Sequence, residues 1–285
     1  MGLETLKNNP NCEWIASKPI LHVSTSQALL QAAGHLKFNL AKGGKRVLFR
    51  GQPKLYGGLI PSLFRGLNGI ALNPHTLRTR QKTLEDLIDT ASQQQAFLRE
   101  TPEEAKEPLF QHYGLNTPWL DVVDNVWIAL WFATHRAVVH KHNSRLLHFE
   151  QRTMNREDDG FAYILIISGP KNITLHKPGF FSDDRHSLVD LREAAPSTYL
   201  RPHAQHGMLL KRKDIKDQKD ADLQDCVEGT IRVQVTDAQN WLGTGRLLSV
   251  HNLFPPAGYD SGYASLLEKC PKPVEHLGNI QFVGP

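Results

Sequence analysis

The stretch Val47-Leu48-Phe49-Arg50-Gly51-Gln52 joins three apolar residues to a cation and a glycine. Three apolar residues in succession predict a strand covered on both faces. Gly51 then lets the backbone turn or approach a ligand closely. Arg50 is therefore expected to leave a core strand at the rim of a cleft. A guanidinium placed there needs a carboxylate, a phosphate or main-chain carbonyls, because an unpaired buried charge is costly. The function of the chain turns on which of these it meets.

On the N-terminal side, Ser24-Thr25-Ser26-Gln27 reads as a helix start, with Ser24 and Gln27 as a capping box. Leu29, Ala32, Ala33, Leu36 and Leu40 form its apolar face, and Lys42-Gly43-Gly44-Lys45 ends it before the Val47–Arg50 strand. Residues 1–23 read as an irregular arm anchored by Trp14 and Ile15.

On the C-terminal side, a loop with Gly57-Gly58 and Ile60-Pro61-Ser62-Leu63-Phe64-Arg65-Gly66 precedes a long helix. That helix is expected from Pro74 to about Glu100, with Leu77, Leu84, Ile88, Ala91 and Leu98 inward. Thr101-Pro102-Glu103-Glu104 suits a break or a fresh helix start. Gln111 to Pro118 reads as a polar turn leading to Trp119-Leu120-Asp121. A helix apolar nearly all round, hence buried, is expected from Val126 to about Val139, with Asp124 as its N-cap. Phe161–Ile167 and Gly207–Leu210 read as strands, and Ile173–Leu175 as a weaker one. Thr230–Val235 alternates, with Ile231, Val233 and Val235 facing in. Lys211–Asp225 reads as a solvated mixed-charge segment, and residues 271–285 as a peripheral C-terminal arm. The fold class is α+β: one domain over residues 24–270, with a helical insertion after the first core strand.

Composition narrows the classes of function. The 285 residues carry a formal charge of +4, compatible with a nucleic-acid partner but too small to establish one. The start of the chain lacks a signal-peptide core, and no apolar run is long enough to span a bilayer. Three scattered cysteines, Cys12, Cys226 and Cys270, fit a reducing cytoplasm without disulfides or zinc. Histidine is plentiful, yet no pair sits in a helical metal-binding frame, so no metal is expected. Neither a nucleotide-triphosphatase phosphate loop, a dinucleotide glycine fingerprint nor a nucleophile elbow is present.

Four polar clusters flank hydrophobic structure: Arg50 with Gln52; Ser62 with Arg65; Gln111, His112, Tyr113 and Asp121; and Arg201, His203 and Gln205. Each has a purely structural alternative. Arg50 can pair with Asp121 as a buried clasp. His112 can be a core histidine bonded to a carbonyl, although its Gln-His-Tyr-Gly setting favours function. Gln205 can be a buried amide on backbone, and Tyr113 and Trp119 can be packing residues.

These clusters, in this order, resemble the FRG domain family, named for its Phe-Arg-Gly signature. Phe49-Arg50-Gly51-Gln52 is similar to that signature, and Ile60 to Arg65 to the second block. Gln111 to Asp121 resembles the third block, and Ile128-Ala129-Leu130-Trp131-Phe132-Ala133 the helix after it. Arg201 to Gln205, Gly207 and Leu253-Phe254-Pro255 match weaker C-terminal elements. The resemblance implies a mixed β core like that of the ADP-ribosyltransferases. It also implies a bacterial toxin–antitoxin or phage-defence setting, with an antitoxin protein as possible partner.

By that resemblance the chain is an NAD-dependent ADP-ribosyltransferase acting on nucleic acid, first of all RNA. Arg50, with Gly51, Gln52, Ser62, Arg65 and Tyr113, would bind NAD. His112 and Gln111 would position the ribose or the acceptor base, Gln205 would orient the ribose, and Asp121 would support Arg50 or supply charge. The chemistry needs a cation for the phosphates, a hold on the ribose and a negative group near the anomeric carbon. One departure stands out. ADP-ribosyltransferases usually place a Glu on a late strand, where Ala204-Gln205-His206-Gly207 puts a glycine. Asp121, His112 or Gln205 would have to substitute, or Glu193 from a loop. The missing Glu favours the alternative, a non-catalytic nucleotide- or partner-binding module. A nuclease built on His112 ranks last, because no second histidine or carboxylate pair accompanies it.

Overall fold

The computed structural model describes residues 2–66, 70–153, 159–172, 177–243, 248–271 and 275–284. The N-terminal stretch is not an irregular arm. Strands β1 (Cys12–Ile15) and β2 (Ile20–Val23) form a hairpin. Leu3, Ile20, Leu21 and Val23 are its buried residues, while Trp14 and Ile15 are only half-buried. Helix α1 (Ser26–Lys42) follows, and its N-cap is Thr25, whose hydroxyl accepts from the Ala28 amide, rather than a Ser24–Gln27 box. Gly43 and Gly44 then release the chain into β3 (Lys45–Gln52), the strand of the opening motif.

The helical insertion comes next. The long helix divides into α2 (Pro74–Gln94) and α3 (Ala96–Glu100), because Gln95 is extended and buried between them. The expected inward residues Leu77, Leu84, Ile88, Ala91 and Leu98 are all buried. Helix α4 (Glu103–His112) restarts after Pro102 with Glu103 and Glu104 in its first turn, where acidic side chains favour the helix dipole. Gln111 and His112 are thus the end of a helix rather than part of a turn.

Strand β4 (Leu120–Val123) returns the chain to the sheet, and α5 (Val126–Thr134) follows. Its N-cap is Asn125, which accepts from the Trp127 and Ile128 amides; Asp124 is engaged elsewhere. Helix α5 stops five residues short of Val139. From His135 the chain runs as a hairpin, β5 (His135–His140) and β6 (Asn143–Gln151). Val138 and Val139 suit a strand better than a helix end. Then come β7 (Phe161–Pro170), β8 (Phe180–Ser182), β9 (His186–Asp190), the short helices α6 (Leu191–Ala194) and α7 (Leu200–Gln205), and β10 (Gly207–Arg212). The weak strand expected at Ile173–Leu175 lies outside the described residues. Lys211–Asp225 is less solvated than its charges suggest, since Ala221 and Leu223 are fully buried. Strand β11 (Val227–Gln234) has Ile231 and Val233 inward as expected, whereas Val235 opens helix α8 (Val235–Leu242). Helices α9 (Val250–Leu253) and α10 (Ser261–Lys269) precede β12 (Phe282–Val283).

Among the described residues, nine strands form one mixed sheet in the order β1-β2-β11-β7-β3-β4-β10-β9-β8, and β12-β6-β5 form a second. The C-terminal segment is therefore integral rather than peripheral: β12 pairs in parallel with β6, and Leu277 and Ile280 are buried. One face of the large sheet carries α1, α5 and α8 over Val47, Phe49, Ile164, Ile166 and Ile231. The other packs Leu48, Leu165 and Ile167 against Leu59, Leu223 and Cys226. None of the described helices is long and apolar enough to cross a membrane.

Gly51 has a different role from the one expected. A Cβ at this position would lie 1.7 Å from the Ala129 carbonyl oxygen and 2.9 Å from the Ala133 amide. The glycine is there because the backbone of α5 rests directly on β3, not because a turn or ligand needs it.

Candidate functional site

Strands β3 and β7 are paired along their whole length, from Lys45 opposite Pro170 to Gln52 opposite Tyr163. Strands β3 and β4 pair only at Phe49 opposite Val123. Beyond that point they part, and the sheet forks in its middle. A cleft of about 500 Å³ occupies the fork. It is walled by the end of α4, by α5, by the β5–β6 hairpin and by α7.

Arg50 stands at the fork. The strand pleat sends it off β3 on the same face as Leu48 and Gln52. Its Nη1 spans the gap and donates to the main-chain oxygen of Asp121, at 2.6 Å. The clasp expected between Arg50 and Asp121 exists, but to the carbonyl rather than the carboxylate. Arg50 Nε is buried without a partner. Burial, with the nearby charge of Arg65, pulls the Arg50 pKa down, and Asp121 works against this. An arginine stays charged through such a shift.

The Asp121 carboxylate takes the Gln111 Nε2 at 2.7 Å and faces His112 Nδ1 at 3.7 Å. Gln111 accepts in turn from the amide and hydroxyl of Thr117. Three of the amide's four hydrogen-bonding positions are thus used within the protein, and they orient Asp121. The His112 ring is also held. A Cβ on Gly207 would lie 2.6 Å from His112 Cε1 and 2.8 Å from Nε2, so β10 covers that edge of the ring. A glutamate at position 207 would evict His112. The absence of a late-strand carboxylate is therefore built into this packing.

Burial acts to raise the Asp121 pKa, but His112, Arg50 and Gln111 together outweigh it and hold the carboxyl below its ordinary value. The unfolded chain then takes up this proton first as the pH falls, so stability rises with pH between the folded and unfolded values. The contribution of the Asp121 charge is present at neutral pH and is lost as the pH drops through the folded value. Denaturant unfolding of the wild type and Asp121→Asn should show a stability gap that closes on acidification. A gap that stays constant through the carboxylate range would contradict this.

Gln205 reaches the cleft, with its Nε2 donating to the Leu253 carbonyl at 2.7 Å, so the backbone-bonded reading describes it. Arg50, Gly51, Gln111, His112, Asp121 and Gln205 thus come together from three regions of the sequence. Other expected residues do not join them. Gln52 lines a separate cavity, beside Tyr56 and Leu59. Ser62 has a buried, unpartnered hydroxyl away from the cleft, and Arg65 donates to the Ile60 carbonyl at 2.7 Å. Tyr113 is fully buried and donates to Asp260 at 2.6 Å, which makes it a packing residue with a satisfied hydroxyl. Glu193 is exposed on α6 and does not line the cleft, and His203 points to solvent.

Two features escaped the sequence, and a third was only partly legible in it. Phe132, Phe149 and Phe254 give the cleft an aromatic wall, with Phe149 and Phe254 stacked at 4.5 Å. Two of these come from a hairpin and a short helix that no periodicity announces. His135 stacks on Trp131 at 4.0 Å, and its Nδ1 donates to the Trp131 carbonyl at 2.8 Å. That bond fixes the tautomer and leaves Nε2 as an acceptor on a cleft-lining ring. Burial lowers the His135 pKa against the opposing pull of that carbonyl, so the ring is neutral at neutral pH. Arg201 also lines the cleft and is only 2% exposed. Its neighbourhood in the Arg201–Gln205 cluster marked it, but nothing in the spacing distinguished it from a structural residue.

Residues 45–142 match the family model of the FRG domain. The matched stretch holds the first strand, the helical insertion, β4, α5 and the start of the hairpin, which together supply most of the cleft. No curated protein and no solved structure matches the chain. Among the described residues no group of histidine, cysteine and acidic side chains could hold a metal ion.

Proposed function

We propose that the fork cleft binds NAD and transfers its ADP-ribose to a nucleic acid, with RNA as the first acceptor to test. One observation carries the reading. Five residues from three regions of the sequence, Arg50, then Gln111, His112 and Asp121, then Gln205, meet in one cleft, and Asp121 is the sole acid among the described residues lining it. A cation with free donors beside a single carboxylate suits a diphosphate next to a developing ribosyl cation.

In this reading Arg50 holds the diphosphate. The bond between the nicotinamide nitrogen and the ribose carbon breaks, and its electron pair leaves with nicotinamide. Asp121, ionised and held in place by Gln111 and His112, stabilises the positive charge left on the ribose. A hydroxyl or ring nitrogen of the acceptor forms the new bond to that carbon, and its proton passes to His135 Nε2. A neutral imidazole serves this step better than a carboxylate whose pKa is depressed. The aromatic wall offers faces on which the nicotinamide or an acceptor base can stack. The setting proposed for such an activity is a toxin role restrained by an antitoxin, or a role in phage defence.

The packing of His112 on Gly207 favours a second reading, a nucleotide-binding module without turnover, because it closes the place where a further carboxylate would stand. Incubating the protein with labelled NAD and total RNA or DNA separates the two. The expected result is released nicotinamide and a nucleic acid heavier by one ADP-ribose. Binding of ADP-ribose with neither product would leave the module. Neither binding nor turnover would overturn both.

A further inference from the structure

Arg201 carries a charge that no described group on the protein neutralises. Its guanidinium lies 4.4 Å from the Tyr113 ring centre, 4.6 Å from Tyr263 and 5.2 Å from Phe254. Its one hydrogen bond runs from Nη1 to the His112 carbonyl, at 3.1 Å. Nε and Nη2 are buried and have no partner. Asp260 does not answer them. Its Oδ2 accepts from the Tyr113 hydroxyl and from the Leu200 and Arg201 main-chain amides.

Aromatic faces offset part of the cost of burying a cation. A ring face attracts the charge but is a weak acceptor, so the buried Nε and Nη2 donors still lack an oxygen partner. The two free donors are a matched pair. Nε–H and Nη2–H point the same way along one edge of the plane, the edge that grips two oxygens of a carboxylate or phosphate side-on. Nη1, on the other edge, is the donor already taken. A buried arginine whose side-on edge is intact and empty, in a residue lining a cleft, is the arrangement of an oxyanion anchor awaiting its ligand.

We propose that Arg201, on α7, is a second phosphate anchor in the cleft that Arg50 lines from β3. The inference rests on the reading that the cleft takes a phosphorylated ligand, not on any transfer chemistry. The phosphate can belong to the dinucleotide or to the acceptor strand, and the two sources are separable by experiment.

Calorimetric titrations with ADP-ribose, and with a short single-stranded oligoribonucleotide, compare the wild type with Arg201→Gln and Arg201→Lys. Arg201→Gln is expected to weaken one of the two ligands about thirtyfold, the loss of a charge-assisted bidentate contact, and Arg201→Lys to recover part of it. The ligand that weakens identifies the source. Equal affinities in wild type and Arg201→Gln for both ligands would overturn the proposal, as would a wild type that binds neither. Should Arg201→Gln fail to fold, the Arg201 Nε–H resonance of the wild type serves instead. It should shift on adding inorganic pyrophosphate, and an unmoved resonance would overturn the assignment. A shift or a thirtyfold loss in a protein that never releases nicotinamide would leave the anchor standing and remove the transferase reading alone.

Discussion

Arg50→Ala should weaken ADP-ribose binding roughly a hundredfold and abolish nicotinamide release, while leaving the protein folded. The size follows from what the side chain has left to give. Nη1 is bonded to the Asp121 carbonyl, but Nε is buried and unpartnered at the fork. A diphosphate oxygen meeting that donor gains a charge-assisted bond in a site largely shielded from water, where such bonds are strongest. Removing the guanidinium also removes the positive field beside Asp121. Folding should survive, because a water can occupy the space left by the guanidinium and donate to the Asp121 carbonyl in its place. Arg50→Lys keeps a charge without the planar fork and should fall between the two. Wild-type affinity in a folded Arg50→Ala would mean that the residue is only a clasp across the fork.

Gly51→Ala should destabilise the fold by roughly 3 kcal/mol or more, or prevent soluble expression. The added carbon would meet backbone rather than a flexible side chain: the Ala129 carbonyl at 1.7 Å, its carbon at 2.7 Å and the Ala133 amide at 2.9 Å. Helix α5 would have to lift from β3, and it is buried nearly all round, with Ile128, Leu130 and Trp131 in the core. Its displacement would also spread the fork, since Ala129 and Phe132 wall the cleft. Chemical denaturation against the wild type measures the loss. An alanine variant with unchanged stability would show that α5 does not sit where the structure places it.

These two neighbours show what the sequence could and could not say. The Val47–Phe49 run names a core strand through hydrophobicity alone, and the following cation at a cleft follows from the cost of burying it. Gly51 is equally conspicuous, yet its reason is a helix 80 residues downstream, which local reasoning cannot see. The same limit explains the N-cap of α5. Asp124 and Asn125 are both good caps, and the choice falls to Asn125 because Arg192 and His206 hold the Asp124 carboxylate at 2.8 Å each. The first long helix ends at Glu100 as expected but is interrupted at Gln95, and the second stops at Thr134, short of Val139. At these points Gln95 accepts a distant bond from Ser265 at 3.2 Å, whereas His135 folds its ring back onto the Trp131 carbonyl one turn before it. Of the site, the residue types were legible and their states were not. Gln111 and Gln205 look like ligand-binding amides in sequence, and only the fold reveals that Thr117, Asp121 and Leu253 already engage them. Arg201 presents the reverse case, an unremarkable arginine whose lack of a carboxylate becomes visible only in three dimensions.

The account depends on the fork between β3 and β4 being a ligand site rather than a packing defect. A crystal structure of the protein with ADP-ribose tests this most directly. The expected result is the diphosphate lying in the fork, with an oxygen on Arg50 Nε and the ribose carbon that carried nicotinamide turned towards Asp121. Ligand density elsewhere on the surface, with the fork empty and Arg50 still bound only to the Asp121 carbonyl, would contradict it.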